Sequence, residues 1–291
     1  MAWRKSYRRR RRPTTRPRAR VSRRKSYSAR RRRPVRRTSK RRILNVASIK
    51  KRDNLMPTVL SAAGEATNGG LLVGTGFNSL FLASSRHFMQ NPTTHGRNVT
   101  STFVRGYRER INIKLGAGGT WSWRRVAFAM KGPQIRNFWI DNSLIPPIDG
   151  LQDEFGQTTV RALNTVESPI LTQITTLLFE GVQNTDWYDP YTAKVDKTRV
   201  TLLYDRVRSF NPGNESGKII NIKQWLPINK NLVYDDDENA QGMTSIPYST
   251  EGKPGIGDVY IWDMVRLESP AQAGTASFQF TPEGTWYWHE R

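Results

Sequence analysis

Few residues in this chain could do chemistry, and they are unevenly placed. The only imidazoles are His87, His95 and His289. None lies in a pattern that would build a metal site or activate a nucleophile. There is no H-x-x-x-H, G-x-S-x-G or C-x-x-C, and no cysteine at all. The stretch "GNESGK" (Gly213 to Lys218) is similar to a phosphate loop, but it is one residue short between its glycines. Ile219 stands where Ser or Thr would bind magnesium, so a glycine-rich turn is the better reading. The run "YDDDEN" (Tyr234 to Asn239) is sharper. Asp235, Asp236, Asp237 and Glu238 repel one another unless they sit in water, bind a cation or face a basic partner. Asp235, Asp237 and Asn239 keep calcium-loop spacing, yet Ala240 replaces the required glycine and no Glu closes the loop. The chain therefore reads as non-enzymatic and without a cofactor. Asp235 and Asp237 are weak metal candidates, and the four acids together are a candidate subunit contact.

The abundant chemistry is cationic. Residues 1–52 hold 25 of the 47 Lys and Arg, and the first carboxylate is Asp53. The remaining residues carry 22 basic and all 24 acidic groups, so the net +23 is an arm at +25 and a body at −2. Such a split marks two physically different parts, 1–52 and 53–291. The arm has too few apolar residues to offset chain entropy, and Pro13, Pro17 and Pro34 interrupt any helix. It is expected to be disordered. Self-repulsion on this scale is relieved by a polyanion, and each phosphate contact releases condensed counterions. Arginine outnumbers lysine, and its planar fork suits phosphate and base stacking. The residues assigned to nucleic-acid binding and nuclear import are Arg8, Arg9, Arg10, Arg11, Arg12, Arg30, Arg31, Arg32, Arg33, Arg36, Arg37, Arg41, Arg42, Lys50, Lys51 and Arg52. Tyr7 and Tyr27 are placed to stack on unpaired bases. Nothing in the arm forms a rigid reading element, so sequence-specific recognition is not expected.

The body is rich in strand formers, with 9 Trp, 10 Tyr and 11 Phe in the whole chain. "RERINIKL" alternates Ile111, Ile113 and Leu115 with Arg110, Asn112 and Lys114, which predicts a strand with one wet face. "WSWRRVAFAM" follows after glycines, so the two read as a hairpin. "TTVRALNTV", "TQITTLLFEGV", "KTRVTLLYDRVRSF", "GKIINIKQWLP" (extended by "NLVYD"), "GDVYIWDMVRLE", "ASFQF" and "TWYWHER" are further strands, with a bulge near Asp205. "SSRHFMQN" is a candidate short helix. In "GDVYIWDMVRLE", Val259, Ile261, Val265 and Leu267 share one face, with Tyr260, Trp262 and Met264 opposite. The tryptophans alternate within strands, which assigns them to core or subunit interface. About eight strands without intervening helices exclude βαβ crossovers. The fold class is all-β: an eight-stranded antiparallel jelly roll, a two-sheet sandwich, with the basic arm at its N-terminus. No apolar run reaches the length of a membrane span, and no apolar h-region marks a secretory signal. The "NVT" at Asn98 and "NES" at Asn214 therefore carry little weight as glycosylation acceptors.

The junction "RRILNVASIKKRDNLMPT", with "KQWLPINKNLVYDDDEN" and "GDVYIWD", resembles capsid proteins of circular single-stranded DNA viruses of the genomovirus (gemycircularvirus) group, and more distantly geminivirus coat proteins. The resemblance covers both ends of the chain and little between Leu60 and Tyr107. It implies a jelly-roll subunit of a small icosahedral (T=1) virion, packaging circular single-stranded DNA through the arm. It also implies nuclear import through host receptors, because such genomes replicate in the nucleus. Sixty copies would bring on the order of 1,500 arm cations to as many phosphates. The rival reading is a cellular nucleic-acid packaging protein of ribosomal or protamine type, expected to carry cations on its folded body as well. A fluorescent fusion of residues 1–52 is expected to accumulate in nuclei. Cytoplasmic retention, seen by microscopy, would remove the import assignment.

Overall fold

Eight long strands carry the architecture: β1 (Ile49–Leu55), β2 (Gly76–Leu82), β3 (Ser101–Leu115), β4 (Trp121–Met130), β5 (Thr201–Phe210), β6 (Lys218–Val233), β7 (Asp258–Leu267) and β8 (Phe278–Glu290). They are seen in a computed structural model that describes residues 46–61, 65–89, 93–142, 150–153, 156–213, 216–240, 242–269 and 276–291. The arm residues up to 45, with Tyr7, Tyr27 and the arginines from Arg8 to Arg42, lie outside the described residues. The strands form two sheets, ordered β1-β8-β3-β6 and β5-β4-β7-β2, with every pairing antiparallel. The pairs β1·β8, β2·β7 and β3·β6 join strands far apart in sequence, each nested inside the last. A long ribbon folded once and rolled up gives this order, which is the jelly roll the strand count called for.

Rolling also explains where the expectations fail. β3 and β4 do not form a hairpin with each other. They belong to different sheets, and the glycines between them, with Gly118 at φ 77° and Gly119 at φ 79°, carry the chain across. Turn chemistry is the same for a hairpin and for a crossing, so local sequence does not separate them. "ASFQF" and "TWYWHER" are one strand, β8, running through Pro282. Beside β8, β1 covers only residues 284–290, and a short strand at Leu71–Val73 covers 278–280. Pro282 falls in the gap, where no partner needs its missing N–H. β1 and β2 went unpredicted, and β1 starts four residues before the boundary expected at 53. The bulge in β5 lies between Leu202 and Tyr204, slightly before Asp205.

"TQITTLLFEGV" is not a strand. It lies largely in helix α2 (Ser168–Leu178), which follows α1 (Gln134–Asp141). Ile170, Ile174 and Leu178 recur every four residues and are all buried, and Pro169 sits in the first turn. The β-branched content suggested a strand, but burial of this stripe against a sheet wins. Of "SSRHFMQN", the described residues Ser84 to Met89 form no helix: Ser84, Ser85 and Arg86 are buried, and the Arg86 amide bonds the carbonyl of Pro247. One small sheet departs from the antiparallel rule, with Arg161–Leu163 parallel to Pro57–Leu60.

The core has two storeys. Between the sheets, Leu55, Phe81, Tyr107, Ile261, Trp286 and Trp288 fill one end, while Phe77, Ile111, Trp121, Trp123, Phe278 and Phe280 fill the other. Outside the second sheet, Phe128, Tyr260, Trp262 and Met264 pack under α1 and α2 through Trp139, Ile170, Ile174 and Leu178. β4 is buried along its whole length, as β7 is from Asp258 to Val265, with the two faces of β7 divided as its alternation predicted.

A charge cluster lies between the two ends of the inter-sheet core. Arg125 of β4 holds Asp263 of β7 through Nε (2.7 Å) and Nη2 (2.8 Å), and its Nη1 reaches Glu109 of β3 in the facing sheet. Arg161 donates to Glu109 (2.8 Å) and Asp263 (2.6 Å). Trp123 Nε1 and Tyr107 Oη, each at 2.8 Å, complete the shells of Asp263 and Glu109. All four charged side chains are buried and sum to zero. Burial opposes ionisation of both carboxylates, but Arg125 and Arg161 outweigh it and hold their pKa values below the ordinary 4.5 and 3.8. Lowered carboxylate pKa values stabilise the fold above the unfolded values, and that stability is lost as pH falls through the folded ones. Arg161→Met, which leaves Arg125 alone to balance two buried carboxylates, is expected to cost about 3–5 kcal/mol in denaturant melts at pH 7. That difference should shrink as the pH falls through the lowered folded-state pKa values of Glu109 and Asp263.

Candidate nucleic-acid interface

The two outer faces of the sandwich differ. Helices α1 and α2 cover the sheet of β5, β4, β7 and β2. The outer face of β1, β8, β3 and β6 has no such cover among the described residues. Its strands alternate accordingly. On β3, Tyr107, Glu109, Ile111, Ile113 and Leu115 point into the core, while Arg108, Arg110 and Lys114 are exposed.

Register builds this face into rows. Lys50, His289, Phe103 and Asn231 lie across one row, and Arg52 and Tyr287 lead the next toward Gly106. Asn54, Thr285, Arg108 and Trp225 form a third, and Glu283, Arg110 and Lys223 a fourth. Arg105 occupies a bulge in β3 opposite Tyr287 and donates to Asn229 at 2.7 Å. The cations are thus Lys50, Arg52, Arg105, Arg108, Arg110, Lys114 and Lys223, against the single carboxylate of Glu283. Arg110 stands between Glu283 on one side and Lys223 on the other, so one carboxylate faces two cations in this row. His289 senses the field: partial burial, then the charges of Arg105 and Lys50, push its pKa below 6.5.

Sequence reasoning placed only part of this. Lys50 and Arg52 are exposed on the face, where β1 begins and the arm joins the body. Lys51 points the other way and does not belong with them. It is 5 % exposed and donates to Glu290 (2.8 Å), to the carbonyl of Gly96 (2.8 Å) and to Asn98. Strand alternation separates it from both neighbours. The acidic run also divides. Asp236 turns inward and is gripped by both terminal nitrogens of Arg97, one at 2.8 Å, while the guanidinium lies 3.9 Å over Tyr234. Burial opposes its ionisation and Arg97 overcomes it. Asp236 is therefore an internal ion-pair partner and no subunit contact. Asp237 and Glu238 lie exposed in a small hairpin with Gly242–Thr244, and Asp235 is half-buried. Among the described residues no group of three or more His, Asp or Glu could hold a metal ion. His95 Nδ1 lies 2.9 Å from the carbonyl of Arg52. His87 is half-buried.

Arg105, Arg108, Lys223, Trp225 and Tyr287 were missed because a body charge of −2 averages over the molecule. The signal was present in "RERINIKL", where Arg108, Arg110 and Lys114 take three of the four wet positions, but which strands flank it was not legible.

No family model matches the chain, and no curated protein matches it. Among solved structures, the human polyomavirus 7 VP1 pentamer aligns at 11% identity and TM-score 0.20, covering 82% of this chain and 95% of that one. The human polyomavirus 6 VP1 pentamer aligns at 9% identity and TM-score 0.21, covering 84% and 95%. The fold assignment rests on strand order and register, not on these alignments. No helix among the described residues is long and apolar enough to cross a membrane.

Replacing Arg108, Arg110 and Lys223 together by Ala is expected to flatten the slope of log affinity against log salt by about 2 for single-stranded DNA. Fluorescence anisotropy over a salt series reads this directly, and an unchanged slope would show that the face does not meet phosphates.

Proposed function

We propose that this chain is a viral coat protein that self-associates into a closed shell and packages nucleic acid. The arm supplies most of the neutralising charge, and the bare sheet face continues it. The reading is carried by one juxtaposition: β1, which follows the basic N-terminal run in sequence, is the edge strand of the main sheet whose cationic outer face no described helix covers. The sequence resemblance described above makes the cargo circular single-stranded DNA, the shell a sixty-copy icosahedron and the host nucleus the site of assembly. Asp237 and Glu238, exposed near the hairpin tip, remain the acids suited to a neighbouring subunit. The protein is read as having no catalytic activity.

The cellular packaging reading gains one point, since cations do lie on the folded body. Electron microscopy of the purified full chain separates the two. Uniform closed particles containing nucleic acid are expected, and dispersed or irregular complexes would overturn the coat-protein reading. Residues 43–291 are expected to remain folded by circular dichroism and to form empty particles or none.

A further inference from the structure

The basic face carries an aromatic feature that charge alone does not explain. Trp225 of β6 is 46 % exposed, unlike the fully packed tryptophans of the core. Its ring meets that of Tyr287 of β8 at 5.8 Å between centroids and 63° between planes. The two strands are not neighbours, since β3 runs between them. Contact across β3 is possible because Gly106 lies there. A Cβ at that position would stand 2.7 Å from Cζ2 and 2.9 Å from Cη2 of Trp225, and 2.3 Å from the carbonyl oxygen of Leu226. Gly106 also has φ 154°, in the bulge that displaces Arg105. A bare glycine thus seats the indole over the sheet, with one side supported and the rest open to solvent. In register, Arg108 stands opposite Trp225 and Arg52 opposite Tyr287.

We propose that Trp225 and Tyr287 form a stacking platform for unpaired bases, making this face selective for single-stranded over duplex nucleic acid. The inference rests on the nucleic-acid role proposed above and names the form of strand that the face takes. A duplex offers the face phosphates only, because its bases are already stacked. A single strand offers phosphates to Arg52, Arg108 and Lys223 and a base face to Trp225. Aromatic–base stacking tolerates any base, which suits packaging of an arbitrary sequence. Stacking releases no counterions, so it adds affinity without adding salt dependence.

That separation supplies the test. Binding of the full chain to a fluorescent oligo(dT) and to a duplex of equal length is measured by anisotropy over a salt series. Trp225→Ala is expected to weaken oligo(dT) binding roughly 5- to 150-fold, with the salt slope and the duplex affinity unchanged. Trp225→Phe is expected to keep most of the affinity, which excludes a folding defect. Equal losses on both ligands, or no loss, would overturn the platform. Loss of particle assembly with oligo(dT) affinity intact would likewise overturn it, assigning the pair to a contact between copies. A Trp225-dependent preference for oligo(dT) in a protein that forms no closed particles supports the platform while removing the coat-protein reading.

Discussion

Four buried charges set the terms for this fold. Arg125 and Asp263 sit on adjacent strands of one sheet, Glu109 on the facing sheet and Arg161 on the short strand where it stands opposite Pro57. Taking such ions out of water costs several kcal/mol each, and only close, fully satisfied geometry offsets it. The cluster is neutral, and the bidentate guanidinium of Arg125 accepts one geometry. A slip of one residue in β3, β4 or β7 would turn a charge onto the wrong face and leave its partners unpaired. The cluster thus acts on register more than on raw stability. With Trp123 and Trp121 packed to one side and Tyr107 and Trp286 to the other, it fixes how the two sheets face each other.

Fixing the sheets fixes which faces are left. One sheet sends its outer apolar residues under α1 and α2, so that its central strands β4 and β7 are buried on both sides. The other keeps its outer side polar, and register collects cations from β1, β3 and β6 there. This division gives the body a charged face although its net charge is almost nil. The carboxylates that balance those cations are placed elsewhere, several inside: Glu109, Asp236, Asp258, Asp263 and Glu290 are all buried. Internal acids are spent on structural arginines and Lys51, while the surface cations Arg108, Arg110 and Lys223 share a row or a neighbouring row with only Glu283 among the strands of their sheet.

The same alternation explains the division of "IKKRD". Lys50 and Arg52 join the basic face, while Lys51 enters the core to meet Glu290 near the chain's end. Pairing of β1 with β8 therefore does two jobs. It closes the roll, and it places Lys50 and Arg52 at the edge of the basic face.

Charge segregation between arm and body, the absence of thiol chemistry and the all-β class were determined by the sequence alone. Each depends on composition or on a period of two that local residues display. The strand at Trp121–Met130 was legible to the residue for this reason, and the two faces of β7 were assigned correctly. The tertiary structure alone decided what depends on distant partners. It turned Ser168–Leu178 into a helix because an apolar sheet face needed cover. It sent β3 and β4 to different sheets, drew Asp236 inward to Arg97, and seated Trp225 beside Tyr287 across Gly106. Contacts between residues tens to hundreds of positions apart leave no periodic trace in either segment, because the energy that selects them belongs to the pair.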